Sequence, residues 1–453
     1  MSSEQITTEY GPISADFQTA KLSELCVEKI GVQTGPFGSQ LHQEDYVEIG
    51  TPIITVEHLG ENRILHDNTP FVSDADRDRL SRYSLQEGDI VFSRVGSVDR
   101  RSLVRKAENG WLFSGRCLRV RAKRDLIDPI YLSYFFGHEG FKNYLRSIAV
   151  GATMPSINTK ILSDVPIYFP ELEVQKRIGK ILLEIDDKIE LNRQINQTLE
   201  QIAQTIFKSW FVDFEPVKAK IEAKAAGRDP ERAGMCAISG KLEPELDQLS
   251  SEHYQQLAAT AALFPDELVE SELGLIPEGW GGQRLENLLD LCYGKSLTKT
   301  ERRDGDFPVY GSGGITGFHD KPLVAGPGII VGRKGTVGAL YWEDRDFFAI
   351  DTVFYVVPKN GATFEVLFYL LQTLGLEKMN TDAAVPGLNR NNVYRLPVPK
   401  YPKELMEVFS KTVGIVRGKI SCGLCENKTF ATLRDTLLPK LLCGELNFIE
   451  EVA

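Results

Sequence analysis

The sequence predicts a protein of the α+β class: two mixed α/β modules related by pseudo-two-fold symmetry and joined by two long helices in an antiparallel coiled coil. The first observation is an internal repeat, because residues 152–158 (ATMPSIN) return 231 positions later as residues 383–389 (AAVPGLN). The second is that the same shift relates two helical segments, in which residues 196–199 (NQTL) correspond to residues 427–430 (NKTF). A constant shift through loop and helix alike indicates two copies of one unit.

The bulk composition is that of a globular protein with several domains. The chain has 453 residues, 42% of them hydrophobic, and a formal net charge of −11. We expect no membrane helix, because no apolar run reaches about 18 residues. The N-terminal residues do not resemble a signal peptide and the seven cysteines suggest no disulfide framework, so we expect a cytoplasmic location. The negative net charge does not exclude nucleic-acid binding, since residues 94–124 are locally basic.

The first module is predicted over residues 20–170, after a polar N-terminal tail over residues 1–19. Its patterning favours short strands, among them residues 90–92 after a turn signal and residues 117–121, whose alternation is typical of a half-buried strand. One helix is predicted from about residue 129 to about residue 145, because an Asp-Pro pair supplies its N-cap and first-turn proline.

The second module, over residues 276–401, repeats this order of elements. Residues 331–337 correspond to residues 92–98, and residues 354–356 correspond to residues 118–120. The shift varies between these blocks, so the loops differ in length. A shared frame with divergent loops is expected of two modules that recognise different ligands.

A long helix is predicted after each module, over residues 171–214 and 402–446. Apolar residues at steps of three and four predict a heptad seam in each helix, interrupted by asparagines that would define its register. The predicted seam comprises Ile178, Leu182, Ile185, Ile189, Asn196, Leu199, Phe409, Val413, Val416, Ile420, Asn427 and Phe430. The alternative is two independent amphipathic helices, but a two-fold relation favours antiparallel pairing.

Two segments have no counterpart in the repeat. Residues 215–275 are rich in Ala, Glu and Lys with a Gly-Arg-Asp-Pro break, and we predict a partly ordered connector there. Residues 447–453 are predicted to be a C-terminal tail.

The sequence carries no convincing catalytic or metal-binding motif. Residues 293–296 (YGKS) match the end of a phosphate-binding loop, but Leu289 stands where its first glycine belongs. Cys422 and Cys425 are spaced like zinc ligands, yet no second pair completes a site, so small residues in the helical seam are the better interpretation. We therefore predict a binding and scaffolding protein without catalytic residues, metal or cofactor.

Three segments resemble one known family across nearly the whole chain. Residues 206–214 (IFKSWFVDF), 437–446 (LLPKLLCGEL) and 230–242 (PERAGMCAISGKL) are similar to regions of the specificity subunit of type I restriction–modification systems. The motifs are specific as a set rather than singly.

This resemblance implies that each module is a target recognition domain that reads one half of a bipartite double-stranded DNA sequence. The paired helices would set the unread spacer. Two methyltransferase (M) subunits, which bind S-adenosylmethionine, and two restriction (R) subunits, which use ATP and Mg²⁺, would assemble on this chain. The chain itself would be non-catalytic and hold no cofactor.

Candidate DNA contacts come from loops that combine basic, hydroxyl and amide side chains. Arginine can bond guanine or phosphate, while Asn158 and Asn389 either bond adenine edges or cap a local turn, the favoured role. Residues shared by both modules are expected to hold the backbone and unshared ones to read bases. Residues 34–40 form a further candidate loop. The candidates are Arg94, Ser97, Arg100, Arg101, Thr153, Asn158, Arg302, Arg303, Arg333, Lys334, Thr336, Asn389 and Arg390.

An aromatic cluster closes the first long helix. Trp210, Phe211 and Phe214 either belong to a core near the connector or form a patch on which a partner subunit docks. The alternative function for the whole chain is a twin-module protein-binding scaffold that does not read DNA. Such a scaffold would lack salt-dependent affinity for duplex DNA.

Overall fold

The computed structural model describes residues 4–36, 40–151, 153–379 and 387–446. The chain divides into two compact units: residues 1–191 with residues 426–453 form unit 1, and residues 192–425 form unit 2. Each long helix contributes one part to each unit.

Unit 1 contains the first module, which is built on two small sheets. One sheet is antiparallel in the order β4-β11-β8-β9, and the other has the order β10-β6-β7-β5. The strands are β1 (Gln5–Thr8), β2 (Gly11–Ser14), β3 (Gln18–Lys21), β4 (Val32–Thr34), β5 (Tyr46–Val47), β6 (Thr51–Ile54), β7 (Phe71–Val72), β8 (Ile90–Ser93), β9 (Arg101–Leu103), β10 (Leu112–Phe113), β11 (Cys117–Val120) and β12 (Pro166–Phe169). The strands predicted at residues 90–92 and 117–121 are thus confirmed as β8 and β11.

The helices after residue 128 pack on the core of the first of these sheets, whereas the short helix before it has no buried residue. One helix differs from the prediction. The helices are α1 (Asp74–Arg79), α2 (Pro129–Gly137), α3 (Glu139–Ile148) and α4 (Thr159–Ser163). The single helix predicted over residues 129–145 is divided in two, because His138 adopts an extended conformation between α2 and α3. Asp128 caps α2 as predicted, its carboxylate accepting a hydrogen bond from the Tyr131 amide at 2.9 Å.

The polar tail predicted at residues 1–19 is wrong for the described part of that segment. Residues 5–14 form the antiparallel hairpin β1–β2, whose turn includes Gly11 at a φ of 106°. Tyr10 and Ile13 are buried, and the Tyr10 hydroxyl donates to the Pro166 carbonyl at 2.6 Å. These two apolar side chains attach the hairpin to the module core.

Unit 2 contains a helical insertion after the first long helix, where a partly ordered connector was predicted. Its helices are α6 (Glu215–Ala225), α7 (Pro230–Ser239), α8 (Glu243–Leu246) and α9 (Ser251–Ala261). Met235, Leu246 and Ala261 form a small core of their own. The buried Lys220 ammonium donates to a Glu231 carboxylate oxygen and to the Phe264 carbonyl, both at 2.7 Å, so its charge is satisfied inside the unit.

The second module repeats the strand order of the antiparallel sheet of the first. Its antiparallel sheet runs β16-β22-β19-β20, and a second sheet runs β18-β17-β21. The strands are β13 (Leu268–Ser271), β14 (Gly274–Pro277), β15 (Gly282–Arg284), β16 (Leu289–Tyr293), β17 (Phe307–Gly311), β18 (Gly314–His319), β19 (Gly328–Gly332), β20 (Leu340–Glu343), β21 (Phe348–Ala349), β22 (Val353–Pro358) and β23 (Pro397–Pro399); the helices are α10 (Phe364–Thr373) and α11 (Arg390–Tyr394). The hairpin β13–β14 matches β1–β2, so the repeat begins before residue 276.

The two long helices are equal in length and related by the repeat. Helix α5 (Leu172–Phe211) and helix α12 (Lys403–Leu442) each have 40 residues, and both their first and their last residues lie 231 positions apart.

The two helices run antiparallel to each other in each unit. In unit 1, Asn427 Nδ2 of α12 donates to the Ile189 carbonyl of α5 at 3.1 Å. In unit 2, Asn196 Nδ2 of α5 donates to the Ile420 carbonyl of α12 at 3.2 Å. The 231-residue shift converts one contact into the other. The predicted pairing is therefore confirmed, and the interpretation as two independent helices is wrong.

The predicted seam residues lie on the inward face of these helices. The buried ones are Ile178, Leu182, Ile189, Phe409, Val413 and Ile420, and the half-buried ones are Ile185, Asn196, Leu199, Val416, Asn427 and Phe430. Cys422 and Cys425 are exposed, so their assignment to the seam is wrong. Their positions within α12 turn them away from the face that carries Ile420 and Asn427.

Candidate nucleic-acid interface

The two candidate loops of each module are joined by the same backbone hydrogen bond. In unit 1 the Ile157 amide donates to the Arg94 carbonyl at 3.0 Å, and in unit 2 the Leu388 amide donates to the Arg333 carbonyl at 2.9 Å. The structure thus brings together, in each module, the loop after β8 or β19 and the loop before α4 or α11. We call this arrangement the loop pair.

A left-handed glycine turns the first loop of each pair. Gly96 has a φ of 79° and Gly335 a φ of 83°, a conformation that side-chain-bearing residues rarely adopt. The hydroxyl residue that follows each glycine, Ser97 or Thr336, is exposed. Lys334, which precedes Gly335, is exposed as well. These three predicted contacts are accessible to a ligand.

The shared arginines of the loop pair hold the backbone. Arg94 Nη1 donates to the Gly115 carbonyl at 3.3 Å, and Arg333 Nη1 donates to the Asp351 carbonyl at 3.1 Å. Both carbonyls lie in the turn that leads into the neighbouring strand, β11 or β22. Each guanidinium therefore joins two loops, as expected of a residue common to both modules.

The shared asparagines cap short helices. Asn158 Oδ1 accepts from the Ile161 amide at 2.8 Å, and Asn389 Oδ1 accepts from the Asn391 amide at 2.9 Å. The favoured turn role agrees with this geometry, because the oxygen that would accept from an adenine amino group is already bonded to the backbone. Thr153 in the same loop is exposed. The remaining predicted loop residues, 37–39 and 385–386, lie outside the described residues.

The loop pair of the second module carries a basic and aromatic cluster. The guanidinium carbons of Arg333 and Arg390 lie 4.8 and 5.0 Å from the centre of the Tyr293 ring, within the range of cation–π attraction. Tyr293, which sequence reasoning did not select, is 48% exposed at the end of β16. In the first module Thr34 and Thr159 occupy the places of Tyr293 and Arg390, so this cluster is a property of the second module.

Arg101, which was predicted to contact DNA, is a buried structural residue. Its side chain is 3% exposed, Nε donates to the Ser133 carbonyl at 3.0 Å, and Nη1 pairs with Glu61 at 3.2 Å. Burial lowers the pKa of this guanidinium, an effect that Glu61 opposes. The prediction failed because Arg101 lies in β9 and points towards α2, whereas its neighbour Arg100 is exposed and donates to the Leu59 carbonyl.

The other two predicted arginines lie beside the second sheet of unit 2. Arg302 Nη1 donates to the Thr316 carbonyl of β18 at 2.6 Å, which fixes a half-buried side chain. Arg303 is exposed and lies 3.7 Å from Asp320. Arg303 thus remains accessible, while Arg302 has a structural bond.

Trp210, Phe211 and Phe214 belong to the core of unit 2, so of the two alternatives the core near the connector agrees with the structure and the exposed docking patch does not. Ring centres lie 5.0 Å apart for Phe211 and Tyr401 and 5.6 Å apart for Trp210 and Phe264. The cluster is buried because the end of α5 packs between the insertion, the second module and α12.

Replacing Arg101 by methionine is expected to lower the free energy of unfolding by about 2–4 kcal/mol without a specific effect on DNA affinity. The substitution removes the buried hydrogen bond that joins β9 to α2 and the ion pair with Glu61, which keeps only its longer contact to Lys142 at 3.9 Å. The matched change Arg100→Met should cost less than about 1 kcal/mol, because Arg100 is exposed. Chemical denaturation checks both values. Equal stability of the two variants would contradict the structural role of Arg101.

No group of His, Cys, Asp and Glu in the described ranges is arranged to hold a metal ion. Within the same ranges, none of the helices is both long and apolar enough to cross a membrane.

Known proteins are similar to this chain in sequence. The model of the type I restriction modification DNA specificity domain matches residues 15–201 and 277–403. The HindI specificity subunit of Haemophilus influenzae is 30% identical over 423 residues, which cover 85% of this chain and 92% of that protein. The MjaIX specificity subunit of Methanocaldococcus jannaschii is 41% identical over 218 residues, 47% of each chain.

A solved structure extends the likeness to the fold. The S subunit of a type I restriction–modification system from M. genitalium has a TM-score of 0.57 at 17% identity, over 94% of this chain and 96% of that one. The family match covers both modules and the first part of α5, more than half of the chain. The chain therefore belongs to the type I restriction–modification DNA specificity family.

Proposed function

We propose that this chain selects the DNA sequence on which a type I restriction–modification complex acts, with each module reading one half of a bipartite target. The loop pair carries the proposal. One backbone arrangement occurs twice, held by shared residues, while the side chains around it differ between the modules. Such an arrangement can present two different sets of contacts to two different half-sites.

Within each module, the shared and unshared residues have separate tasks. Arg94, Arg333, Asn158 and Asn389 hold the loops, and the exposed hydroxyl and basic residues beside them contact DNA. In the second module Arg390, placed against Tyr293, is the residue we assign to base reading. Arginine donates two parallel hydrogen bonds to guanine, and stacking on a ring limits its motion before binding.

The long helices would set the length of the unread spacer and recruit the other subunits. Two M subunits would supply S-adenosylmethionine-dependent methylation, and two R subunits would supply ATP- and Mg²⁺-dependent translocation and cleavage. The chain would act in the cytoplasm as the non-catalytic member of the complex, and it would hold no cofactor itself. Specificity subunits among its relatives support this assignment.

Exchange of the second module tests the proposal. A chimaera in which residues 268–401 come from another family member, co-expressed with its M subunit, is expected to methylate a sequence changed in one half only. The boundary at residue 268 retains the hairpin β13–β14. Mapping of methyladenine across the host genome gives the sequence.

Other results of the exchange would contradict the proposal. A change in both halves would exclude independent modules. Failure of the assembled wild-type complex to methylate or to bind duplex DNA in a salt-dependent way would favour the protein-binding scaffold instead.

A further inference from the structure

Each unit contains a charged contact between α5 and α12 that is extended by a tyrosine of the module. In unit 1, Arg434 Nη1 donates to Asp186 Oδ1 at 2.8 Å, and the Tyr134 hydroxyl donates to Asp186 Oδ2 at 2.6 Å. In unit 2, Arg417 Nη1 donates to Glu200 Oε2 at 2.8 Å, and the Tyr369 hydroxyl lies 3.4 Å from the same oxygen. Both carboxylates belong to α5 and both arginines to α12.

These ion pairs are largely shielded from solvent. The side chains of Asp186 and Arg417 are each 11% exposed, and Arg417 also lies 4.5 Å from the centre of the Trp342 ring. Burial by itself would lower the pKa of Arg434, but the hydrogen bonds to Asp186 and Asp435 and the charges of these two carboxylates together outweigh burial and raise it. Charges in such surroundings interact more strongly and are screened less by salt than those of exposed pairs.

The charged contacts do not follow the repeat, unlike the asparagine contacts. The 231-residue shift carries Asp186 to Arg417, which reverses the charge. It carries Glu200 to Ala431, and Arg434 corresponds to Ala203. The asparagine contacts would therefore be retained if two identical helices paired, whereas the charged contacts would not.

Pairing of two α5 helices from different chains would bring like charges together. In such a pair, the place of Arg417 would be taken by its counterpart in the repeat, which is Asp186 of the other chain. Glu200, which faces Arg417 in this structure, would then face that aspartate. In a pair of two α12 helices, Arg434 would face Arg417 of the other chain by the same correspondence.

We propose that Asp186, Glu200, Arg417 and Arg434 select the pairing of α5 with α12 and prevent a second copy of this chain from pairing through the identical helix. Like charges placed against an unwanted partner give specificity that apolar seams and shared asparagines do not. The inference rests on helix pairing alone and is independent of DNA recognition.

A charge exchange within one ion pair tests the proposal. The double variant E200R/R417E of the full chain keeps opposite charges between α5 and α12 and leaves the net charge unchanged. It also places opposite charges in both identical-helix pairs. We expect this variant to self-associate at least about tenfold more tightly than the wild-type chain, measured by analytical ultracentrifugation over a range of concentrations.

The matched control reverses both ion pairs. The quadruple variant D186R/E200R/R417E/R434E keeps the pairing of α5 with α12 but restores like charges in both identical-helix pairs, so it should behave like the wild-type chain. If the first double variant does not fold, D186R/R434E makes the same exchange in unit 1 and carries the same expectation. Equal self-association of the folded double variant and the wild-type chain, or of the double and quadruple variants, would overturn the proposal.

Discussion

Replacing Phe211 by alanine is expected to lower the free energy of unfolding of unit 2 by about 3–5 kcal/mol. Phe211 is 1% exposed, and its ring centre lies 5.0 Å from that of Tyr401, 5.1 Å from that of Phe207 and 5.2 Å from that of Phe409. The substitution leaves a cavity where α5, the second module and α12 meet, and it removes two edge-to-face contacts, with Tyr401 and Phe409. Chemical denaturation followed by tryptophan fluorescence checks the loss, since Trp210 and Trp280 lie in the same cluster.

The neighbouring Val212 provides the control. It is 41% exposed, so Val212→Ala should change the unfolding free energy by less than about 0.5 kcal/mol. A loss below about 1 kcal/mol for Phe211→Ala would contradict the core assignment.

The repeat made much of the fold predictable from the sequence. One shift of 231 residues relates Asn196 to Asn427 and α5 to α12, and a two-fold relation between helices implies antiparallel pairing. Local signals were also sufficient where the interaction is local, as in the N-caps formed by Asp128, Asn158 and Asn389. In these cases donor and acceptor lie within three residues of each other.

Predictions failed where a side chain's partners are distant in sequence. Arg101 was predicted to contact DNA because the local sequence shows only its charge. Its actual partners, Glu61 and Ser133, lie outside β9 and cannot be identified from the sequence of that strand. Phe211 could be assigned to an exposed patch from its local sequence, because the residue that covers it, Tyr401, lies 190 positions further along the chain. A sequence window shows which residues are apolar or charged, but not which distant segment excludes water from them.

Two features that were not predicted, the hairpin of each module and Tyr293, are nevertheless indicated by the sequence. The hairpin before each module carries the pattern Glu-x-Gly-x-Ile, at residues 9–13 and again at residues 272–276, and this match extends the repeat beyond the predicted boundaries. Tyr293 could also have been selected, because a large aromatic residue at a strand end next to a glycine has only a threonine as its counterpart, Thr34. Aligning the modules strand by strand, rather than by one shift, would have revealed both.

Replacing Arg390 by alanine is expected to weaken binding of the assembled complex to its target by about ten- to a hundredfold. The loss should relax specificity at one position in the half-site read by the second module, because Arg390 lies against Tyr293 in that module alone. Tyr293→Ala should act in the same direction but more weakly, since it removes the ring beside both arginines but leaves their donors and their backbone hydrogen bonds to Asp351 and Leu291. Genome methylation maps and DNA binding at several salt concentrations measure specificity and affinity separately.

Arg284→Ala is the control for the Arg390 substitution, because it removes the same charge from an exposed position on β15, 3.7 Å from Glu286. We expect it to leave the methylated sequence unchanged. If Arg390→Ala instead weakened binding equally for all sequences and reduced the salt dependence by about one counterion, Arg390 would contact a phosphate rather than a base. A third result is also possible. If Arg390→Ala left the DNA affinity and the methylated sequence unchanged while Arg333→Ala altered both, Arg333 would be the reading residue and Tyr293 would position it.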